Sequence, residues 1–207
     1  MNKINHILQI QKAAKLYKKN LVGKKFALVY EQGYIEIIFS SKNFKHLVGV
    51  DSPLYAKQFF SDALHNRLNE KTVLFSERHP YRVSVKKVTN LLRLTSLIYS
   101  DSFLLEEINT TTKHYKIGAT NLDFTLCFNY PKDDYGKITN ECLRAESLRD
   151  EDCFAKSSSV YEITHIFAKN NDEEFYNEIC YMDNRYSIND IPTDVLQTLK
   201  LDSNIIT

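Results

Sequence analysis

Tryptophan is absent, and glycine (5), proline (4), cysteine (4) and methionine (2) are scarce in a chain of 207 residues. So little Gly and Pro excludes collagen-like and linker-rich architectures. No stretch approaches the roughly 20 consecutive apolar residues of a membrane-spanning helix. The amino terminus, Met-Asn-Lys-Ile-Asn-His, lacks the apolar core and small-residue cleavage site of a secretory signal. A soluble, cytoplasmic protein with no membrane partner is expected. Cys127, Cys142, Cys153 and Cys180 form no Cys-x-x-Cys pair, so buried, reduced thiols are expected instead of a zinc ribbon or redox dithiol. The Gly-rich phosphate loops, His-Glu-x-x-His, Gly-x-Ser-x-Gly and EF-hand patterns are missing too. Asp150-Glu151-Asp152 reads as a solvated acidic turn. Neither metal nor cofactor is expected.

What is present is an ordinary globular composition, 43% apolar and 26% charged, with 13 Tyr and 12 Phe. A chain of this length buries about 70% of the surface its unfolded form exposes, enough for a core without disulfides. The net charge of +1 conceals a division. Residues 1–100 hold 17 Lys and Arg against 6 Asp and Glu, and residues 101–207 hold 10 against 20, giving net charges of +11 and −10. Such halves can attract each other within one fold, or the basic one can face a polyanion. No flexible linker marks the switch, so a single domain over residues 1–207 is expected.

Apolar periodicity predicts a helix over 3–20 with a basic outer face, stopped near Gly23. Strands Phe26–Tyr30 and Tyr34–Phe39 read as a hairpin. Ser52 as N-cap and Pro53 at the first helical position predict a helix running to about Glu70. A short strand over 72–75 and a helix over 84–99 follow. In the second half, Tyr115–Ala119, Phe124–Tyr130, Val160–Lys169 and Phe175–Met182 look extended. Residues 131–159 read as loop, and a short helix covers 192–199. Helices followed by strands predict an α+β fold, an antiparallel sheet covered on one face by the N-terminal helices.

Among the six histidines, His46 follows a strand, sits beside Lys42 and Lys45, and precedes Gly49, where the backbone can turn tightly or approach a ligand. Imidazole gives and takes protons near neutrality; the alternative is a histidine that only fixes its loop. His165 lies in a predicted strand, facing with Tyr161, Ile163 and Phe167, and is either a sheet histidine or part of a cleft. Ser147, Arg149, Lys156, Ser158 and Ser159 precede that strand and suit a phosphate, Arg by its bidentate fork, or form a plain polar loop. His79, between Arg78 and Pro80-Tyr81-Arg82, lies in a basic-aromatic loop of the kind that stacks an unpaired base.

Phe39-Ser-Ser-Lys-Asn-Phe44-Lys-His46-Leu47-Val-Gly49, followed by a helix with Phe59-Phe60, resembles the signature of the phage-associated Barnase/EndoU/colicin/RelE-like (PBECR) nucleases, closest to their fourth subgroup. Glu146-Ser147-Leu148-Arg149, Lys156, Tyr161-Glu-Ile-Thr-His-Ile166-Phe-Ala-Lys169, Tyr176 and Ile179-Cys-Tyr181 are similar to the same group. The likeness spans about residues 10–183, leaving 184–207 as a C-terminal extension. It implies a compact BECR-like α+β fold borne by phages or mobile elements, and metal-independent RNA cleavage by 2′-OH transesterification. His46 and Gly49 carry over from the first motif and Ser147 and Lys156 from the second. His46, Ser147, Lys156 and His165 make the candidate catalytic set, and Lys42, Lys45, Gly49, Arg149 and Ser159 the substrate-binding set. RNA, tRNA included, is the expected partner, with an antitoxin or host defence protein as a protein partner. A non-catalytic accessory or anti-defence protein that binds through its charged surfaces is the competing expectation.

Overall fold

A computed structural model of the chain describes residues 2–111 and 113–201; the end of the expected C-terminal extension, 202–207, lies outside them. Helix α1 (Lys3–Asn20) begins where the Asn2 side chain accepts the Asn5 N–H at 2.9 Å, and Lys18 and Lys19 suit its negative C-terminal end. Ile7, Ile10, Ala13, Ala14 and Tyr17 form its buried stripe. Strands β1 (Lys24–Tyr30) and β2 (Gly33–Ile38) form the expected hairpin. A 3-10 turn, Ser41–Asn43, leads into the short helix α2 (Phe44–Val48). Helices α3 (Ala56–Leu64), α4 (Tyr81–Leu92) and α5 (Ser96–Tyr99) follow. Then come β3 (Phe103–Asn109), β4 (His114–Thr120), β5 (Thr125–Asn129), β6 (Leu143–Arg149), β7 (Ser159–Asn170), β8 (Glu178–Met182) and α6 (Thr193–Leu196).

The α+β class holds, but the expected open antiparallel sheet is replaced by a closed, mixed barrel. Seven strands run β1-β2-β6-β5-β4-β3-β7, and β7 returns to pair with β1. The junction of β2 with β6, through Ile37↔Leu143 and Ile38↔Arg144, is parallel, and the others are antiparallel. Two strands that the sequence pattern hides close the ring. In β6 a register shift opposite Cys127 and Phe128 makes Glu146 the extra residue, which breaks the alternation that would mark a strand. In β3 the adjacent Glu106 and Glu107 dilute the apolar pattern. The twelve-residue β7 gives residues 159–162 of one edge to β3 and 165–168 to β8.

Each strand of a closed barrel turns one face inward. Phe26, Leu28, Ile37, Leu104, Ile117, Leu126, Leu148 and Ile163 supply that face and share one core with α1 and the other helices. Smaller clusters lie on the outer faces. One packs Val29, Phe167 and Tyr176 against Ile191 and Val195, the other Leu105, Tyr115 and Cys127 against Cys153. Cys127, Cys142 and Cys153 are buried and Cys180 is partly buried, all as free thiols.

Three further expectations change in the helical half. Asp51-Ser52-Pro53 does not cap a helix; α3 starts later, after Tyr55. Asp51 is drawn away by a two-bond bridge to Leu74, which is all that forms of the strand expected at 72–75. The single helix expected over 84–99 begins earlier, after Pro80, and breaks into α4 and α5 at 93–95. Phe44 anchors α2 with its ring centre 5.1 Å from Phe60, 5.4 Å from Tyr17 and 6.4 Å from Phe59. Truncating a wholly buried Phe costs roughly 3–5 kcal/mol, so this short helix is held by packing and not by its own length.

Candidate functional site

His46 stands on the outer side of α2, opposite the buried Phe44, Leu47 and Val48. The helix stops at Gly49, whose φ of 70° is left-handed and whose N–H reaches the carbonyls of Lys45 and His46. A Cβ at Gly49 would lie 2.8 Å from Cδ and 3.5 Å from Nζ of Lys87. Glycine is thus required twice, for the turn and for the passage of the Lys87 side chain from α4. Ser84, one turn earlier on α4, donates to the Val48 carbonyl at 3.0 Å and meets His6 Nε2 at 2.9 Å, tying α1, α2 and α4 together beneath the site.

The opposing wall comes from the barrel. Lys113, just before β4, pairs with Glu146 at 2.5 Å. Lys113 Nζ lies 5.5 Å from the centre of the Tyr115 ring and the Arg149 guanidinium lies 5.6 Å from it. An Arg149 Nη2–H donates to the Tyr115 hydroxyl at 3.3 Å and to Thr110 Oγ1 at 3.1 Å. The bulge in β6 sets Glu146 beside Ser147, which is buried opposite Cys127.

The electrostatics follow from this convergence. His46 keeps contact with solvent, yet protein around it strips enough hydration to disfavour the charged ring, and Lys87, Lys113 and His79 add repulsion against the weaker pull of Glu146. Its pKa falls to about 4, so the imidazole is neutral at pH 7. Burial, then Arg149, lowers Lys87 to about 8. Nearby, Asp51 accepts from His79 Nδ1 at 2.7 Å and from Ser76 Oγ at 2.6 Å, which fixes the His79 ring. These bonds hold the Asp51 carboxyl below its usual range, Ser76 contributing most.

His46 and Gly49 thus neighbour Lys87, Arg149 joins them through Lys87 and Tyr115, and Ser147 lies buried next to Glu146 in the opposing strand. The other expected residues lie elsewhere. Lys42 is exposed in the 3-10 turn, and the Lys45 ammonium is engaged by the Leu54 carbonyl at 3.0 Å. Lys156 is exposed and paired with Glu151 at 2.5 Å. Ser159 opens β7 opposite Glu106. His165 is fully buried, at 3.0 Å from Thr164 Oγ1 and stacked on Phe167 at 5.8 Å. A bulge at Thr164 turns Ile163 into the core while His165 and Phe167 stay outside, so the single face expected for these residues is split. Lys87, Lys113 and Tyr115 escape a reading of the sequence. Lys87 looks like any lysine on a solvated helix face, and Lys113 and Tyr115 acquire neighbours only when β4 pairs with β5 and β5 with β6. Among the described residues, no three His, Cys, Asp or Glu converge as a metal site would need, and no helix is long and apolar enough to cross a membrane.

Compared with models of known families, the chain matches the one described as phage-Barnase-EndoU-ColicinE5/D-RelE like nuclease 4 over residues 9–185. No curated protein matches, and no solved structure matches.

Proposed function

We propose, given that the chain belongs to the phage-Barnase-EndoU-ColicinE5/D-RelE like nuclease 4 family, that the cluster around His46 cleaves RNA. The observation that carries this reading is a neutral imidazole among three cationic side chains, Lys87, Lys113 and Arg149. RNA supplies its own nucleophile. His46 takes the proton of a 2′-hydroxyl as that oxygen bonds to the adjacent phosphorus. Arg149 and Lys113 stabilise the charge that grows on the non-bridging oxygens. The bond from phosphorus to the 5′-oxygen breaks, and Lys87, a stronger acid than a solvated lysine, gives the leaving oxygen its proton. The products are a 2′,3′-cyclic phosphate and a 5′-hydroxyl. Gly49 acts by letting Lys87 reach this place.

Cleavage with such an acid and base needs His46 deprotonated and Lys87 protonated. The kcat/KM profile, which reports the free enzyme, is expected to rise through about pH 4 and fall through about pH 8. The test is incubation with total RNA and with tRNA in EDTA, followed by end-group identification and the pH profile. Cyclic phosphate ends with that profile support the reading. RNA bound without any cleavage across this range would mean that the cluster is a binding surface.

A further inference from the structure

Beside the His46 cluster lies a cavity of about 500 Å³ between β4, β5, β6 and the 131–142 loop, walled by Lys113, Lys116, Tyr130, Lys132, Ile138 and Arg144. Lys113 and Glu146 line this cavity and also act on the charge of His46, so the cavity adjoins the candidate site. Its cations divide into two kinds. Lys113 is paired with Glu146, and Lys116 and His114 with Glu107. Lys132 and Arg144 have no carboxylate partner among the described residues, and the buried Arg144 Nε–H meets no acceptor there. The half-buried Arg144 and the exposed Lys132 thus line the cavity without a counter-charge. The only apolar wall is formed by Tyr130 and Ile138. Two unpaired cations beside an aromatic face match a nucleotide, with its phosphate on the cations and its base on the ring.

We propose that this cavity holds an unpaired nucleotide flanking the cleaved linkage, so that the protein acts on single-stranded RNA. The proposal rests on the cleavage reading of the neighbouring cluster. Arg144 and Lys132 take the phosphate of that nucleotide, and Tyr130 takes its base. A base in a duplex is stacked within the helix and cannot enter a concave space of this size, so duplex RNA is expected to be refused.

The test is fluorescence anisotropy of a labelled 2′-O-methyl RNA hexamer, single-stranded and annealed, over a range of salt. Such an RNA cannot be cleaved by its own 2′-oxygen, so binding is read apart from chemistry. The wild-type protein is expected to bind the single strand at least tenfold more tightly than the duplex. A Lys132→Ala/Arg144→Ala variant should lose at least tenfold in affinity, with a salt slope shallower by about 0.7 for the one phosphate that the two cations share. Lys132 is exposed, so Lys132→Glu repeats the measurement without risk to the fold. Lys156→Ala, whose ammonium is held by Glu151 outside the cavity, should bind like the wild type. Unchanged affinity and slope in both cation variants, or equal binding of duplex and single strand, would overturn the subsite. Competition by AMP or inorganic phosphate at the same concentration as the hexamer would assign the cavity to a free nucleotide and overturn it as well. If the cation variants lose binding while His46→Ala still cleaves RNA, the cleavage mechanism fails and the RNA subsite stands.

Discussion

Two histidines on the outside of the same barrel meet opposite surroundings. His46 has Lys87 and Lys113 among its charged neighbours. His165 lies under the segment after β8, near Asp183 and Asp190, with its ring stacked on Phe167. Burial lowers the pKa of both, but at His46 neighbouring charge adds to the effect, and at His165 a hydrogen bond with the Ser187 backbone and then the two carboxylates oppose it. The residue type carries little chemistry here and its neighbours carry most. A neutral ring ringed by cations suits a proton acceptor beside a phosphate. A ring closed in beneath a polypeptide segment suits packing.

The largest separation of the two is expected from their truncation. His46→Ala should lower kcat/KM for RNA by about 10²–10⁴-fold, the usual worth of a positioned proton acceptor, with little change in melting temperature because the ring is exposed. His165→Ala should do the reverse. It opens a cavity at a fully buried position, for which losses of about 2–4 kcal/mol are ordinary, while the folded fraction still cleaves. Thermal melts together with initial rates read both. Full activity in His46→Ala, or lost activity in well-folded His165→Ala, would exchange their roles.

A smaller effect is expected from the lysines. Lys87→Met should reduce kcat/KM by about 10²-fold, the low end for a positioned proton donor, and remove the alkaline limb near pH 8. Lys156→Met should leave both as they are, since that ammonium is exposed and held by Glu151. An alkaline limb that survives Lys87→Met would pass the acid role to another group.

How far these roles were legible in the sequence depends on how local each cause is. The α1 helix, the first hairpin, β4, β5 and β7 follow from apolar period and turn residues. Ring closure was hidden because β6 carries its bulge at Glu146 and Ser147, where the alternation fails, and because β2 meets β6 across a hundred residues. His46 and Gly49 could be found since a tight helical stop beside a basic segment is a local pattern. Lys87 could not, because its meaning comes from passing over Gly49. The charge division misleads in a similar way. Lys113 and Arg149 come from the acidic half, so the cationic surface is assembled across both halves and does not belong to the basic one.

The finest test of the comparison reads the two rings directly. In a proton NMR titration the His46 ring should titrate near pH 4. Lys113→Met removes a repulsion from protonated His46, although it also frees the Glu146 carboxylate to attract the same proton. Both changes act in one direction, so the His46 pKa should rise. Asp190→Asn removes an attraction from protonated His165, so that pKa should fall further below its ordinary value. The two substitutions each delete one charge, of opposite sign, and should move the two rings in opposite directions by a fraction of a unit up to about one unit, as single nearby charges do. Unmoved pKa values in both variants would mean that desolvation alone governs both sites. The ring of cations would then be incidental to His46, and its claim to act on a phosphate would rest on proximity without electrostatic support.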